Sequence, residues 1–217
     1  MKVTLFSALP EFFDITNLAI MGRSLRAGLC SLKTVDLREY GLGGYKQIDD
    51  TTYGGGSGMI LRPDVLGNAI EGNVDLKSRM LLTSPRGKKF DQKMAFDLAS
   101  GGDFSIISNR FEGVDQRVIE YYNLEEVSIG DYVLFGGEVA AMVILEAVVR
   151  LIAGVIESHD NEDSFCGDLE NMIEYDHYTK PAIWNNLEVP DILRSGNHSE
   201  IKKWRLENAK HNTKNKP

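Results

Sequence analysis

The sequence predicts an α/β fold, with a mostly parallel sheet covered by helices on both faces and a small, mainly helical C-terminal domain. Three observations predict it. Short β-branched and apolar runs alternate with helical patterns over the first two-thirds of the 217 residues. These runs are apolar throughout, as in strands that are buried on both faces of a parallel sheet. The C-terminal part differs in composition, because an acidic stretch is followed by a basic one.

Turn residues separate the predicted elements of the sheet region. Pro10-Glu11 favours a first helical turn, because proline fits the start of a helix, and the next helical pattern stops at Gly28. Strands are predicted over Lys2–Leu9, Ser31–Leu37, Met80–Thr83, Phe104–Ser108 and Val127–Leu134. Helices are predicted from Pro10, and over Ala19–Ala27, Pro63–Ile70, Asp91–Ala99, Val114–Tyr122, Glu138–Ile152 and Ser199–Asn208.

Charge and loop length divide the chain. Residues 157–176 hold eight acids and no Lys or Arg, whereas residues 177–217 hold eight Lys/Arg against four acids. We therefore predict a main domain over 1–156, an acidic flexible linker over 157–176 and a small helical domain over 177–217. A solvated linker and tail without a partner is the alternative. A second long segment, Glu39–Met59, contains seven glycines and no periodicity, which indicates a functional or disordered loop.

The composition indicates a soluble protein of a reducing, cytoplasmic compartment. Two cysteines make neither a disulfide framework nor a metal site. The longest apolar run, Val139–Ile156, is interrupted by Glu146 and Arg150 and predicts a buried helix, so that we expect no membrane association. The N-terminus has no signal-peptide pattern. The net charge of −8 is carried by the acidic stretch and does not exclude a nucleic-acid partner.

The segment "SIGDYVLFGGEVAAM", residues 128–142, places two glycines between a strand and an apolar helix. Glycines at such a position allow the backbone to approach another group closely. A phosphate-binding loop would need Lys and Ser/Thr after the glycines, but Gly136-Gly137 is followed by Glu138. A neutral or partly cationic ligand therefore fits better than a polyphosphate. Close packing of the helix on the strand is the alternative.

Two other predicted strands end in similar loops, "LTSPRG" (82–87) and "SNRFEG" (108–113). Ligands of open α/β sheets bind at the carboxyl ends of the strands. The three loops together therefore predict one binding pocket.

These motifs, together with "DDTTYGGGSGM", "EDSF", "HYTKP" and "SGNHSEIKKWR", resemble those of the bacterial tRNA (guanine-N1)-methyltransferases from Phe6 to Arg205. The resemblance implies a trefoil-knotted (SPOUT) methyltransferase domain, which is a rare exception to the rule that chains do not thread loops. It also implies an obligate homodimer with active sites shared between chains. The implied reaction is methylation, by S-adenosylmethionine, of the guanosine 3′ of the anticodon in tRNA.

The resemblance implies that the cofactor is held by three loops, with backbone groups that read the adenine edge. Glu112 is implied to lie near the positively charged methionine end, although it could instead cap the following helix. The implied cofactor-binding residues are Thr83, Ser84, Pro85, Asn109, Phe111, Glu112, Gly113, Ile129, Gly130, Asp131, Tyr132, Val133, Leu134, Gly136 and Gly137.

Methylation of guanine N1 requires a base that removes the N1 proton and a cation or donor near O6. The resemblance places the base at Asp163 and the O6 stabiliser at Arg150. Arg150 is also unusual by itself, because a charge on an apolar helix must be paired or functional; its alternative role is a salt bridge with Glu146. Asp163 is otherwise one acid among eight, and only the motif distinguishes it from its neighbours.

The resemblance also implies where tRNA binds. A glycine-rich loop is suited to closing over a flipped base, and a basic helix is suited to phosphates; a disordered loop and ordinary solvated lysines are the alternatives. The implied substrate-binding residues are Asp49, Tyr53, Gly54, Gly55, Gly58, His177, Asn197, His198, Lys202, Lys203 and Arg205. We expect Trp204 to be a core residue. The family implicates Mg²⁺, but the sequence contains no cluster that predicts a metal site.

The chain departs from the family pattern at Asn109, where glycine is usual, at Phe111, where tyrosine is usual, and at Ser57. Asparagine is the side chain best able to take a left-handed backbone conformation in place of glycine, so that we expect the loop at Asn109 to be kept. Three other functions stay open at this point. They are a knotted methyltransferase for another RNA nucleotide, a non-catalytic RNA-binding homodimer and, disfavoured by Glu138, a phosphate-handling nucleotide enzyme.

Overall fold

The structure is a computed structural model that describes residues 1–56, 58–156 and 163–215. It forms two compact units, Met1–Ile156 and Glu157–Pro217. Ser57 lies outside the described residues. The same is true of residues 157–162, which are the first part of the predicted linker.

A five-stranded sheet forms the centre of the first unit. Its strands are β1 (Lys2–Ser7), β2 (Ser31–Asp36), β5 (Arg79–Lys89), β6 (Phe104–Ile107) and β7 (Glu125–Ser128), in the order β2-β1-β6-β5-β7. All four neighbouring pairs are parallel. The expectation of an α/β fold with a mostly parallel sheet is therefore confirmed.

Helices cover both faces of this sheet. The helices of the unit are α1 (Ala19–Arg26), α2 (Pro63–Glu71), α3 (Gln92–Ser100), α4 (Gln116–Tyr121) and α5 (Glu138–Val149), with 3-10 helices over Pro10–Asn17 and Leu37–Tyr40. Successive strand residues point to opposite faces. Leu5 and Ile106 accordingly pack in one cluster with α3 and α5, whereas Phe6 and Ile107 pack in another with α2 and α4.

Several predicted segments of the first unit differ from the structure. The strand predicted over Val127–Leu134 ends at Ser128, because the Ser128 hydroxyl bonds both the amide and the carbonyl of Gly130 (3.2 and 3.0 Å) and turns the chain. The strand predicted to end at Thr83 continues to Lys89, with an irregular register against β7 between Thr83 and Lys88. The glycine-rich segment contains an antiparallel hairpin of β3 (Asp49–Thr51) and β4 (Met59–Leu61).

The second unit has a small core of its own. Leu169, Tyr175 and Ala209 are buried there, with Trp204 packed against them as expected. Residues 163–176, which the sequence indicated as part of a linker, thus contribute two residues to this core. The unit contains a 3-10 helix over Gly167–Leu169, the hairpin β8 (Ile183–Trp184) and β9 (Leu187–Glu188), and the helices α6 (Asp191–Arg194) and α7 (His198–Lys214). Helix α7 is longer than predicted, because neither glycine nor proline occurs between Asn208 and Lys214.

Within the described ranges, the structure contains no helix that combines the length and the apolar character needed to cross a membrane.

Candidate active site

A cavity of about 300 Å³ lies at the carboxyl ends of the central strands. This volume is at the lower end of the range of small-molecule pockets. The residues that surround it come from the middle of β5, from the loop that follows β6, from the end of β7 and the loop after it, and from the start of α5. They are Thr83, Ser84, Pro85, Asn109, Phe111, Glu112, Val127, Ser128, Ile129, Gly130, Tyr132, Val133, Leu134, Phe135, Gly136, Gly137 and Ala140.

The structure brings together most of the residues predicted to hold a cofactor. Gly113 and Asp131 do not line the cavity. Gly113 instead accepts a hydrogen bond from the Leu61 amide through its carbonyl (2.9 Å), and Asp131 is exposed. Sequence reasoning missed four lining residues, namely Val127, Ser128, Phe135 and Ala140. Phe135 and Ser128 lie within the glycine-containing segment 128–142 and could have been included with it.

Thr83, Asn109 and Gly137 connect the three loops. The Asn109 amide donates to the Thr83 hydroxyl (3.0 Å), which itself donates to the Ile107 carbonyl (3.3 Å). The Gly137 amide donates to the Asn109 carbonyl (2.7 Å). The start of α5 is therefore fixed against the middle of β5 and the loop after β6 by these polar groups.

This packing explains why glycines precede α5. A Cβ on Gly137 would collide with the Thr83 hydroxyl and would lie 2.6 Å from the Asn109 amide nitrogen. A Cβ on Gly136 would lie 2.6 Å from both Arg110 Nε and Glu138 Oε2. The groups that leave no room for a Cβ belong to the protein itself: the side chains of Arg110 and Glu138 at Gly136, and Thr83 and the Asn109 backbone at Gly137. Both glycines also line the cavity.

The loop after β6 adopts an unusual conformation at Phe111, where φ is +60°, whereas Asn109 is not in the left-handed region. The backbone at position 109 therefore does not require the conformational freedom of glycine. Instead, Asn109 lines the cavity, and its side-chain oxygen is buried without a hydrogen-bond partner among the described residues.

The alternative role of Glu112 as a helix cap is wrong, because Asp115 caps α4 by accepting from the Arg117 amide (2.9 Å).

The glycine-rich loop lies beside the rim of this cavity. The Glu112 amide donates to the Met59 carbonyl (2.9 Å), and the Glu112 side chain lies against Gly58, where φ is +92°. Gly54 and Gly55 also have positive φ values, and Tyr53 is almost fully exposed at the loop tip. The structure thus places Gly58 next to Glu112, one of the residues predicted to hold the cofactor.

Ion pairs hold the base of this loop. Arg62 binds Asp50 (2.7 Å) across the β3–β4 hairpin and Asp64 (2.9 Å) at the start of α2. The hydrogen bond from Arg62 lowers the pKa of Asp64 below its usual value, so that this carboxylate stays charged. Asp49 lies in β3, and its carbonyl accepts from Gln47 Nε2 (2.9 Å).

The two predicted catalytic residues belong to different units. Arg150 caps the C-terminus of α5 and is exposed on the same helical stripe as Val139, Val143 and Glu146. Asp163 lies in the second unit, is partly exposed, and its carbonyl accepts from the Cys166 amide (3.1 Å).

A larger groove of about 1180 Å³ lies within the second unit. His177, His198, Lys202 and Arg205 line it, together with Tyr178 and other residues, whereas Asn197 and Lys203 do not. Asn197 is the N-cap of α7, since its side chain accepts from the Glu200 amide (3.3 Å).

Several basic residues of this groove have partners. Lys202 binds Asp168 (3.1 Å), His177 lies 3.3 Å from Glu174, and the Arg205 guanidinium lies over the Tyr175 ring (4.7 Å to its centroid). Arg205 therefore also packs on the core of this unit. In the ranges 1–56, 58–156 and 163–215, no three His, Cys, Asp or Glu side chains come together as a metal site requires.

The chain is similar to known proteins over nearly its whole length. The family model described as "tRNA (Guanine-1)-methyltransferase TrmD" matches residues 1–217. A protein of Brucella ovis is 46% identical over 209 residues, covering 94% of this chain and 85% of the relative. One of Roseobacter denitrificans is 45% identical over 215 residues (94% and 84%), and one of Ehrlichia canis is 41% identical over 211 residues (94% and 88%). Each of the three is named tRNA (guanine-N(1)-)-methyltransferase. This chain belongs to the tRNA (Guanine-1)-methyltransferase TrmD family.

Proposed function

We propose that this protein is an S-adenosylmethionine-dependent methyltransferase that methylates N1 of the guanosine 3′ of the anticodon in tRNA. The observation that carries this proposal is the convergence of residues 83–85 of β5 and of the loops after β6 and β7 on one cavity, in a chain that matches this family over its whole length. The alternatives of another RNA nucleotide and of a non-catalytic RNA-binding homodimer become outcomes of the test.

The cavity fits an adenosyl group. Ile129, Val133, Leu134 and Ala140 supply apolar surface for the adenine ring, and the buried Asn109 oxygen supplies an acceptor for an amine or hydroxyl of the ligand. Burial of an acceptor without a partner is costly, so that a bound donor would stabilise this site. Bound S-adenosylmethionine supplies the methyl group and leaves as S-adenosylhomocysteine. The Glu112 carboxylate at the rim suits the positively charged methionine end.

The protein must also remove a proton from the acceptor. Guanine N1 carries a proton and is weakly nucleophilic until that proton leaves, while negative charge develops on O6. In our proposal the Asp163 carboxylate takes the N1 proton and the Arg150 guanidinium stabilises O6. Arg150 is exposed at the end of α5 and Asp163 is partly exposed, so that both can contact a substrate.

We further propose a homodimer in which each active site draws on both chains, with a trefoil knot in the cofactor-binding region. Exposed apolar side chains support the dimer. Val139 and Val143 project from α5, and Val133 and Phe135 from the cavity loop are 85% exposed and fully exposed, respectively. Exposed apolar side chains are typical of interfaces in soluble proteins, and Val133 and Phe135 also line the cavity.

The basic segment 177–217 of the second unit is proposed to bind tRNA. His177, His198, Lys202 and Arg205 line its groove, and Lys203 adds charge on the same helix. Phosphate contacts of this kind position an RNA without reading its sequence.

Because tRNA is the substrate, the proposal places the protein in the cytoplasm. The family also implicates Mg²⁺, but the described residues present no three-ligand site that fits the ion, and we derive no step through it.

The test is incubation of the purified protein with an unmodified tRNA transcript and methyl-labelled S-adenosylmethionine, followed by nucleoside analysis. We expect label in N1-methylguanosine at the position 3′ of the anticodon. A control transcript carries adenosine at that position and should stay unlabelled. Label in another nucleotide would replace the proposed substrate, and tRNA binding without labelling would support the non-catalytic alternative.

A further inference from the structure

Glu138, the first residue of α5, is charged and buried. Its side chain is 1% exposed, and burial of a carboxylate is costly unless it is paired and hydrogen-bonded. Here one carboxylate oxygen, Oε1, accepts from the Ser7 hydroxyl (2.7 Å) and from Arg110 Nε (3.0 Å). The N-terminus of a helix also favours an anion. The proposed chemistry gives Glu138 no part.

The three partners lie on three separate segments. Ser7 ends β1, where its oxygen also accepts from the Leu9 amide (2.8 Å), and Arg110 lies in the loop between Asn109 and Phe111. Glu138 directly follows Gly136-Gly137. The second carboxylate oxygen, Oε2, and the Arg110 guanidinium both lie against Gly136, at a distance that leaves no room for a Cβ.

We propose that Glu138 is a positioning residue for cofactor binding. Its carboxylate joins the end of β1 and Arg110 to the start of α5, and thereby holds Asn109, Glu112 and Gly136-Gly137 in the arrangement that forms the cavity. The identity of the ligand rests on the proposed function; the positioning of the loops does not.

The chain offers a matched control. Arg79 and Glu125 form another Arg–Glu pair in the same unit (2.8 and 2.9 Å), but they begin β5 and β7 and so lie at the amino edge of the sheet, away from the cavity. Glu125→Gln therefore removes a comparable ion pair without touching the loops. Ser7→Ala is a milder variant at the proposed site, because it keeps the Arg110–Glu138 pair.

The experiment compares wild type, Glu138→Gln, Ser7→Ala and Glu125→Gln by hydrogen exchange of the ligand-free proteins and by titration with S-adenosylmethionine. We expect Glu138→Gln to accelerate exchange in peptides that cover 107–113 and 134–141, and to weaken cofactor binding about tenfold. Ser7→Ala should act in the same direction, by about threefold. Glu125→Gln should change neither the exchange of these peptides nor cofactor affinity.

Steady-state kinetics separate positioning from a general structural role. We expect Glu138→Gln to raise KM for S-adenosylmethionine about tenfold and to leave kcat at saturating cofactor within about twofold of wild type. A fall in kcat with unchanged KM, or wild-type exchange in both loop peptides, would overturn the inference. Failure of the wild type to bind S-adenosylmethionine would refute the proposed function instead, and the exchange comparison alone would then decide whether Glu138 holds the loops.

Discussion

The Glu112 side chain packs directly on Gly58, so that the rim of the cavity is in contact with the glycine-rich loop. A Cβ on Gly58 would collide with Glu112 Cγ and would lie 2.9 Å from Oε1. The two segments are also joined through the backbone, by the hydrogen bond from the Glu112 amide to the Met59 carbonyl. A change at residue 58 should therefore reach the proposed cofactor site.

Gly58→Ala tests this contact. Alanine in the left-handed region costs about 1–2 kcal/mol, and its methyl group must also displace Glu112. We expect methyl transfer to fall at least about tenfold in kcat/KM. Gly43→Ala is the control, because Gly43 has φ +65° and open space around it. It should lose stability by a similar amount and keep its activity; equal activity of the two variants would show that the contact is unimportant.

Asp163→Asn tests the proposed base. Removal of a general base typically lowers the rate by about 10²–10⁴-fold. We expect a loss of this size in single-turnover methylation, with cofactor and tRNA affinities unchanged in binding assays. Glu170→Gln, at an exposed acid of the same unit, should methylate normally. Wild-type turnover by Asp163→Asn would remove Asp163 from this role.

Asn109→Ala should affect stability and binding in opposite directions. Removal of a buried acceptor that has no partner should stabilise the ligand-free protein by about 1 kcal/mol, while the ligand loses a hydrogen bond. Ser105→Ala is the control, because the Ser105 hydroxyl is likewise buried without a partner among the described residues but does not line the cavity. Thermal unfolding and calorimetric titration should show both variants stabilised and only Asn109→Ala weakened in cofactor binding. Unchanged affinity would mean that the Asn109 oxygen meets no ligand donor.

Lys203→Ala tests the tRNA-binding surface. Each phosphate contact adds about one unit to the slope of log affinity against log salt concentration. We expect the variant to bind tRNA more weakly and with a slope reduced by about 1. Filter binding over a range of salt concentrations measures both quantities. Lys93→Ala, on α3 of the first unit, should keep the wild-type slope, and the same slope for Lys203→Ala would exclude a phosphate contact there.

Tyr122 predicts an alkaline loss of stability. Burial, followed by the hydrogen bond that its hydroxyl donates to Glu71 (2.8 Å), raises the pKa of Tyr122 to about 12. Because the folded protein favours the neutral phenol, this contribution is complete below the usual pKa of about 10 and disappears as the pH rises towards 12. The free energy of unfolding, measured with urea at several pH values, should be higher for wild type than for Tyr122→Phe, and this difference should shrink above about pH 10. A constant difference would contradict the shifted pKa.

Local patterns in the sequence were sufficient for the parallel sheet and for most of the cavity. Strand and helix periodicities report which face of each element is buried, and turn residues mark the strand ends. Parallel strands bring their carboxyl ends to one edge, so that the segments 82–87, 108–113 and 128–137 could be grouped into one pocket from the order of strands and turns, whereas the individual cofactor-binding residues came from the family resemblance.

Contacts between distant residues were decided only by the tertiary structure. Ser7 and Glu138 are 131 positions apart, and nothing in either local pattern indicates that they pair. Local patterns also do not indicate the contact between Gly58 and Glu112 or the hairpin within the glycine-rich loop. Nor do they indicate which protein atoms leave no room for a Cβ at positions 136 and 137. The physical reason is that periodicity encodes the burial of a face, whereas a hydrogen bond or a close contact depends on the packing of several segments at once.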